Sequence, residues 1–232
     1  LECYNLLVDN LIIQYLAPGA LASAVLAFML REWDTLYDLG VKVYDRFTRD
    51  GIDAPLEVLD YDSTVDLVDK EGAKAVFNRR MTVRFLQDHV IAFQDHVWGD
   101  GKALASYKVS PGYIVDEYRD GDRWNVLISL RQTRSRGETE EFVSERIALD
   151  AFLGKEEWVQ AETWLPTRRL RFHILFPKGR TCTRIALHER SRQRVTPLSL
   201  NGVKTLPNGR TEFVWERKNP RRGEIFTLKW EW

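Results

Sequence analysis

From residue 53 onward the chain repeatedly alternates apolar and polar residues with a period of two, and this pattern constrains the fold more than any other feature. Phe77, Met81, Val83 and Phe85 alternate with Asn78, Arg80, Thr82 and Arg84, and Trp124, Val126, Ile128 and Leu130 alternate with Asn125, Ser129 and Arg131. Leu170, Phe172, Ile174 and Phe176 stand against Arg169, Arg171 and His173, and Phe226, Leu228, Trp230 and Trp232 against Thr227, Lys229 and Glu231. Successive strand side chains point to opposite faces, so each run predicts a strand with one dry and one wet face. Turn signals separate the runs: Lys70-Glu71-Gly72, Gly99-Asp100-Gly101, Asp120-Gly121-Asp122, Pro177-Lys178-Gly179, Asn201-Gly202, Pro207-Asn208-Gly209 and Asn219-Pro220. Short strands joined by such turns predict antiparallel hairpins in a β-sandwich or barrel. No long helical pattern intervenes, which argues against parallel βαβ units.

The expected fold class is therefore mainly β, an antiparallel sandwich preceded by a helical segment. Residues 155–232 hold six or seven strands, about the size of a small immunoglobulin-like sandwich. Residues 53–154 hold about six longer strands and form a separate antiparallel domain on this reading, with Asp150–Glu157 as the junction; a single large β domain is the alternative.

Residues 1–52 read differently. Leu11–Leu30 is a run of twenty uncharged residues, long enough for a helix to cross a bilayer. Gln14 and Ser23 weaken insertion, and Pro18-Gly19 would kink or break the helix, leaving a buried helical pair as the alternative. Leu36, Leu39, Val43 and Phe47 continue as an amphipathic helix that Asp50-Gly51 stops. Arg31, Lys42, Arg46 and Arg49 follow the apolar run and no Lys or Arg precedes it, so a spanning segment would place the β region in the cytoplasm. A basic leader and a cleavage pattern are missing, as a signal peptide would not be, and the opening Leu1 is expected of a processed chain or a piece of a longer one.

With 232 residues, 44% of them hydrophobic, the chain can bury a substantial core. Two cysteines, Cys3 and Cys182, are too few for a disulfide framework, which fits a reducing compartment. Charge is balanced overall but not along the chain. Residues 1–120 carry 12 Lys and Arg against 20 Asp and Glu, net −8, while residues 121–232 carry 22 against 14, net +8. The two halves are expected to face each other; a basic face for an anionic partner is the other reading.

Phosphate-loop, dinucleotide, zinc-protease, Cys-x-x-Cys and Gly-x-Ser-x-Gly signatures do not occur. No catalytic residue, cofactor or metal is assigned from the sequence. Gln-Asp-His-Val occurs twice, at 87–90 and 94–97, bringing Asp88, His89, Asp95 and His96 near Asp100. Imidazoles and carboxylates are metal ligands, but Gln87-Asp88-His89 falls at an expected hairpin turn and His96 in an expected strand, so structural roles are the reading adopted.

The candidate ligand-binding residues are Arg169, Arg171 and His173 on one strand's polar face, with Arg184 nearby in sequence. Forked guanidinium groups there would suit an anionic small molecule such as a nucleotide. The aromatics of the same strand alternate to the other face, which argues against base stacking and nucleic acid. In outline, an apolar helix before a cytoplasmic β region resembles membrane-tethered sensors and effectors of bacterial signalling, and no residue assignment follows from that outline. The expected function is a non-enzymatic interaction or scaffold module, cytoplasmic, held to an inner membrane or a helical protein partner through residues 1–50. The alternative is a sensor or effector binding its anionic ligand on the Arg169/Arg171 face.

Overall fold

The computed structural model describes residues 54–99, 102–121 and 123–232. The expected helices of residues 1–52, including Leu11–Leu30, lie outside the described residues, as does Asp100. The described part is mainly β, with several antiparallel sheets. Its strands are β1 (Leu56–Leu67), β2 (Lys74–Phe85), β3 (Val90–Trp98), β4 (Lys102–Ser110), β5 (Tyr113–Asp120), β6 (Arg123–Arg134) and β7 (Thr139–Leu149). There follow β8 (Glu156–Glu162), β9 (Arg169–Phe176), β10 (Arg184–Glu189), β11 (Arg194–Pro197), β12 (Lys204–Thr205), β13 (Thr211–Lys218) and β14 (Ile225–Glu231). Among the described residues, no helix is long and apolar enough to cross a membrane.

Three sheets form. A seven-stranded sheet runs β12-β13-β9-β1-β2-β7-β4, a four-stranded sheet β11-β10-β14-β8, and a three-stranded sheet β3-β6-β5. The alternating runs around Phe77, Val126, Phe172 and Leu228 fall in β2, β6, β9 and β14. The β1–β2 turn shows why glycine stands where it does. Asp69 takes the backbone N–H groups of Ala73 and Lys74 at 2.8 and 2.9 Å. Gly72 sits at φ +77° with its α-carbon so close to Phe152 that an added Cβ would meet that residue's carbonyl oxygen at 1.8 Å.

One pairing departs from the antiparallel rule. β1 and β9 run parallel, with Tyr61 opposite Leu170, Asp62 opposite Arg171 and Val65 opposite Ile174. Among the described residues no crossover helix joins them; the connection runs through β2 to β8, which are spread over all three sheets. Asp53–Trp232 forms one compact unit, and the division expected at 154/155 runs through its largest sheet, because β9 and β13 come from one side of that point and β1, β2, β7 and β4 from the other.

The inner face of the seven-stranded sheet is shared between two hydrophobic cores. In the first, Val65, Phe172, Ile174 and Phe213 meet Val159, Ile185, Leu228 and Trp230 of the four-stranded sheet. In the second, Leu56, Val58, Val83, Phe85 and Phe142 meet Phe93, Val126 and Ile128 of the three-stranded sheet. A bulge between Val58 and Asp60 makes this division on β1, switching the inward residues from even to odd numbers.

Trp230 and Phe172 are 1% and 2% exposed and sit on the two facing sheets. Trp230→Asp or Phe172→Asp should remove the cooperative melt followed by circular dichroism, since an unpaired carboxylate there costs several kcal/mol against a total of ~5–15. A soluble double variant that still melts cooperatively would contradict the packing described.

Candidate functional site

The polar face of β9 was the first place expected to bind a ligand. Arg169, Arg171 and His173 do share it, opposite the buried Leu170, Phe172, Ile174 and Phe176. Each is met by a carboxylate from a flanking strand. Arg169 Nε donates to Asp60 Oδ1 at 2.6 Å and its Nη2 to Asp60 Oδ2. Arg171 donates to Glu216 Oε2 at 3.0 and 2.6 Å and to Asp62 at 3.4 Å. His173 Nδ1 lies 2.7 Å from Glu212 and its Nε2 3.5 Å from Asp62. Arg168 bonds Glu57 at 2.7 Å, and Arg210 bonds Asp66. Hydrogen bonds from Arg171 hold the Glu216 carboxyl below its ordinary range, and the Asp60 hydrogen bond raises Arg169. Burial pushes Glu57 up, but Arg168 and Arg84 outweigh it and bring its carboxyl down. The face is thus a ladder of alternating charge. Arg184 does not join it: it lies on β10 in the four-stranded sheet, paired with Glu231 of β14.

The two Gln-Asp-His-Val repeats separate. Asp88 and His89 lie exposed in the β2–β3 turn, where Asp88 accepts the Arg136 N–H at 2.9 Å. Alternation then sends Asp95 and His96 of β3 to opposite faces. His96 Nδ1 is 2.9 Å from Asn125 Oδ1, and its ring packs on Trp98 and Trp164. Burial and the Arg123 charge lower its pKa. Among the described residues no three metal-ligating side chains gather.

Asp95 belongs instead to a cluster that lies between the two cores. Arg79 on β2 reaches it with both ends of its guanidinium, Nη1 to Oδ1 at 2.8 Å and Nη2 to Oδ2 at 2.5 Å. The Tyr107 hydroxyl on β4 accepts from Arg79 Nη2 at 2.7 Å and donates to Asp95 Oδ2 at 2.5 Å. The side chains of Arg79 and Asp95 are 11% and 9% exposed. Burial alone would neutralise both. The Arg79 charge and the hydrogen bonds from Arg79 and Tyr107 outweigh it and keep the Asp95 carboxyl below its ordinary value, while Asp95 raises Arg79 in turn. Burial, with Asp95 beside it, raises the Tyr107 phenol.

Arg146 on β7 completes the layer. It stands in a cross-strand row with Phe77 on one side and Tyr107 on the other, next to the row of Ser63, Arg79 and Ser144. Its Nη1 donates to the Ala103 carbonyl at 2.6 Å, and its Cζ lies 3.5 Å from the centre of the Phe77 ring. Among the described residues no carboxylate pairs with it, and burial lowers its pKa to about 10. Sequence reading missed this cluster. Its signal was parity: Arg79 falls in step with Phe77, Met81 and Val83, and Asp95 in step with Phe93 and Val97, where apolar residues are expected.

No protein-family model matches the chain, and no curated protein matches it. Among solved structures it is similar to an M1 zinc metallopeptidase from Deinococcus radiodurans, at 10% identity and a TM-score of 0.46, covering 75% of this chain and 42% of that one. A protease candidate from Parabacteroides distasonis aligns at 10% identity and a TM-score of 0.47, over 75% of this chain and 40% of that one. The chain spans less than half the length of these neighbours. Likeness at this level assigns no activity.

Asp95→Asn should cost about 3–5 kcal/mol in urea unfolding, because it strands the buried Arg79 charge, whereas Arg79→Met combined with Asp95→Leu should recover most of the loss. The pair also sets an acid limb. The folded pKa of Asp95 lies below the unfolded value, so the unfolded state binds more protons in between. The stabilisation is full above about pH 4 and is lost as pH falls through the folded pKa. Urea midpoints from neutral to acid pH should fall more steeply for wild type than for Asp95→Asn; parallel curves would refute the assignment.

Proposed function

We propose that residues 54–232 form a non-enzymatic interaction module, which residues 1–52 tether to an inner membrane or a helical partner with the β region on the cytoplasmic side. The seven strands of residues 155–232, three in one sheet and four in another about one core, serve on this reading as an immunoglobulin-like sandwich that stiffens the module. One observation carries the proposal. Among the described residues strand β5 pairs only with β6, and seven of its eight residues are exposed. Tyr113, Val115 and Tyr118 are each about half exposed, at 49%, 48% and 49%. A strand of this length with an unpaired edge and aromatic side chains in water favours addition of a partner strand, with main-chain bonds supplying affinity. Asp116, Glu117 and Asp120 outnumber Arg119 there, so a partner with basic side chains fits best.

An anionic ligand on the β9 face is the weaker reading, since it would have to displace the Asp60, Asp62, Glu212 and Glu216 carboxylates from their cations. Photo-crosslinking groups placed at Tyr113 and Tyr118 of the full chain should each yield the same discrete adduct in cells, and one placed at the exposed Arg80 should not. Val115→Lys with Tyr118→Lys should abolish the adduct with a change in stability within about 0.5 kcal/mol. Equal labelling at all positions would refute the β5 surface. A full chain that fractionates as a soluble monomer would refute the tether.

A further inference from the structure

Among the described residues, the polar layer between the cores carries one more positive charge than negative. Arg79 and Asp95 neutralise each other, and both Asp95 oxygens are occupied by Arg79 and Tyr107. Arg146 remains, 9% exposed. Its described acceptor is one backbone carbonyl, and the Phe77 ring covers one face of its guanidinium plane. Its other N–H donors make no hydrogen bond among the described residues and are not sealed from the space beside them, so they are open to an acceptor lodged there.

Space for that partner is present. Two small cavities share Arg146, Tyr61, Ser63 and Phe77 in their walls. One, of about 50 Å³, continues toward Trp158 and Phe172; the other, of about 40 Å³, continues toward the Arg79–Asp95 pair, Tyr107 and Ser144. We propose that this pair of cavities is a binding site for a small monovalent anion of halide size, held by the Arg146 guanidinium and the hydroxyls of Ser63 and Tyr61. Size and charge agree on the class. Each cavity has room for one or two atoms of water size, too little for a phosphate ester or a nucleotide. Among the described residues of the layer, one negative charge balances Arg146, whereas a dianion would leave the layer negative. The low dielectric of the surroundings strengthens the attraction between Arg146 and the ion. Bound there, the anion would link β1 and β7 and stabilise the fold in proportion to its occupancy.

The test follows the melting temperature of the full chain as chloride replaces gluconate at constant ionic strength, so that general screening stays fixed. Wild type should melt higher in chloride, by roughly 3–5 °C for each tenfold rise above the dissociation constant. Arg146→Met should abolish the dependence, and Arg146→Lys should retain part of it. Crystals grown in bromide should show an anomalous peak beside the Arg146 guanidinium, which decides the matter independently should Arg146→Met fail to fold. Equal melting in both salts with no bromide peak would mean that water alone fills the cavities, overturning the proposal. A chloride dependence that survives Arg146→Met would place the anion elsewhere and overturn it equally.

Discussion

The Arg79–Asp95 ion pair, closed by the Tyr107 hydroxyl, joins the seven-stranded sheet to the three-stranded sheet at the level where one hydrophobic core ends and the other begins. Each partner comes from a different strand, so the geometry of the triad exists only when β2, β3 and β4 have all reached their places. Breaking such a pair costs more than making it yields, because desolvation of each charge is repaid only by the other. Its effect is therefore conditional. It contributes little net stability to the correct arrangement and heavily penalises arrangements in which one member is buried without the rest.

That conditionality matters because the inner face of the large sheet is otherwise uniform. Leu56, Val58 and Val83 at one end and Val65, Leu67 and Ala75 at the other are interchangeable to a first approximation, and a strand could slide by two residues while keeping its apolar side inward. The row of Ser63, Arg79 and Ser144 removes that freedom. A slide along β2 would carry Arg79 into one apolar core and leave Asp95 facing hydrocarbon. The bulge between Val58 and Asp60 acts in the same sense on β1, since only one register lets both of its halves point inward.

Strand existence was legible in the sequence because alternation is a local property: β2, β6, β9 and β14 can be read from Phe77, Val126, Phe172 and Leu228 and their neighbours. Several turns were legible for the same reason, as Lys70-Glu71-Gly72 and Pro207-Asn208-Gly209 show. Partnership between strands was not. The β1–β9 pairing joins segments separated by 109 residues at Asp60 and Arg169, and nothing local to either declares it. The same limit hid the site. The guanidinium of Arg171 is visible as a charge on a wet face, but Asp62 and Glu216, which occupy it, arrive from two other strands. Arg79 and Asp95 were within reach, since a charged residue in the parity of Met81 or Phe93 must be paired or functional. Their mutual contact was not, because β2 and β3 meet through different sheets.

The charge asymmetry between the two halves of the sequence acquires a structural meaning in this light. Acids on the outer face of β1, Asp60, Asp62 and Asp66, meet Arg169, Arg171 and Arg210 of the second half, and Glu57 at its start meets Arg168. These pairs are partly exposed, and single exposed pairs contribute about 0–1 kcal/mol. Their value lies in discrimination. Parallel pairing lacks a short connecting turn to fix its register, so β1 and β9 must find one another across the 109 residues that separate Asp60 from Arg169. A strand whose outer face is acidic and one whose outer face is basic attract in that pairing, while β1 against a second acidic strand would repel. The acids of β1 and the arginines of β9 then help to select which strands meet. That selection also accounts for why the basic face of β9 is covered by carboxylates.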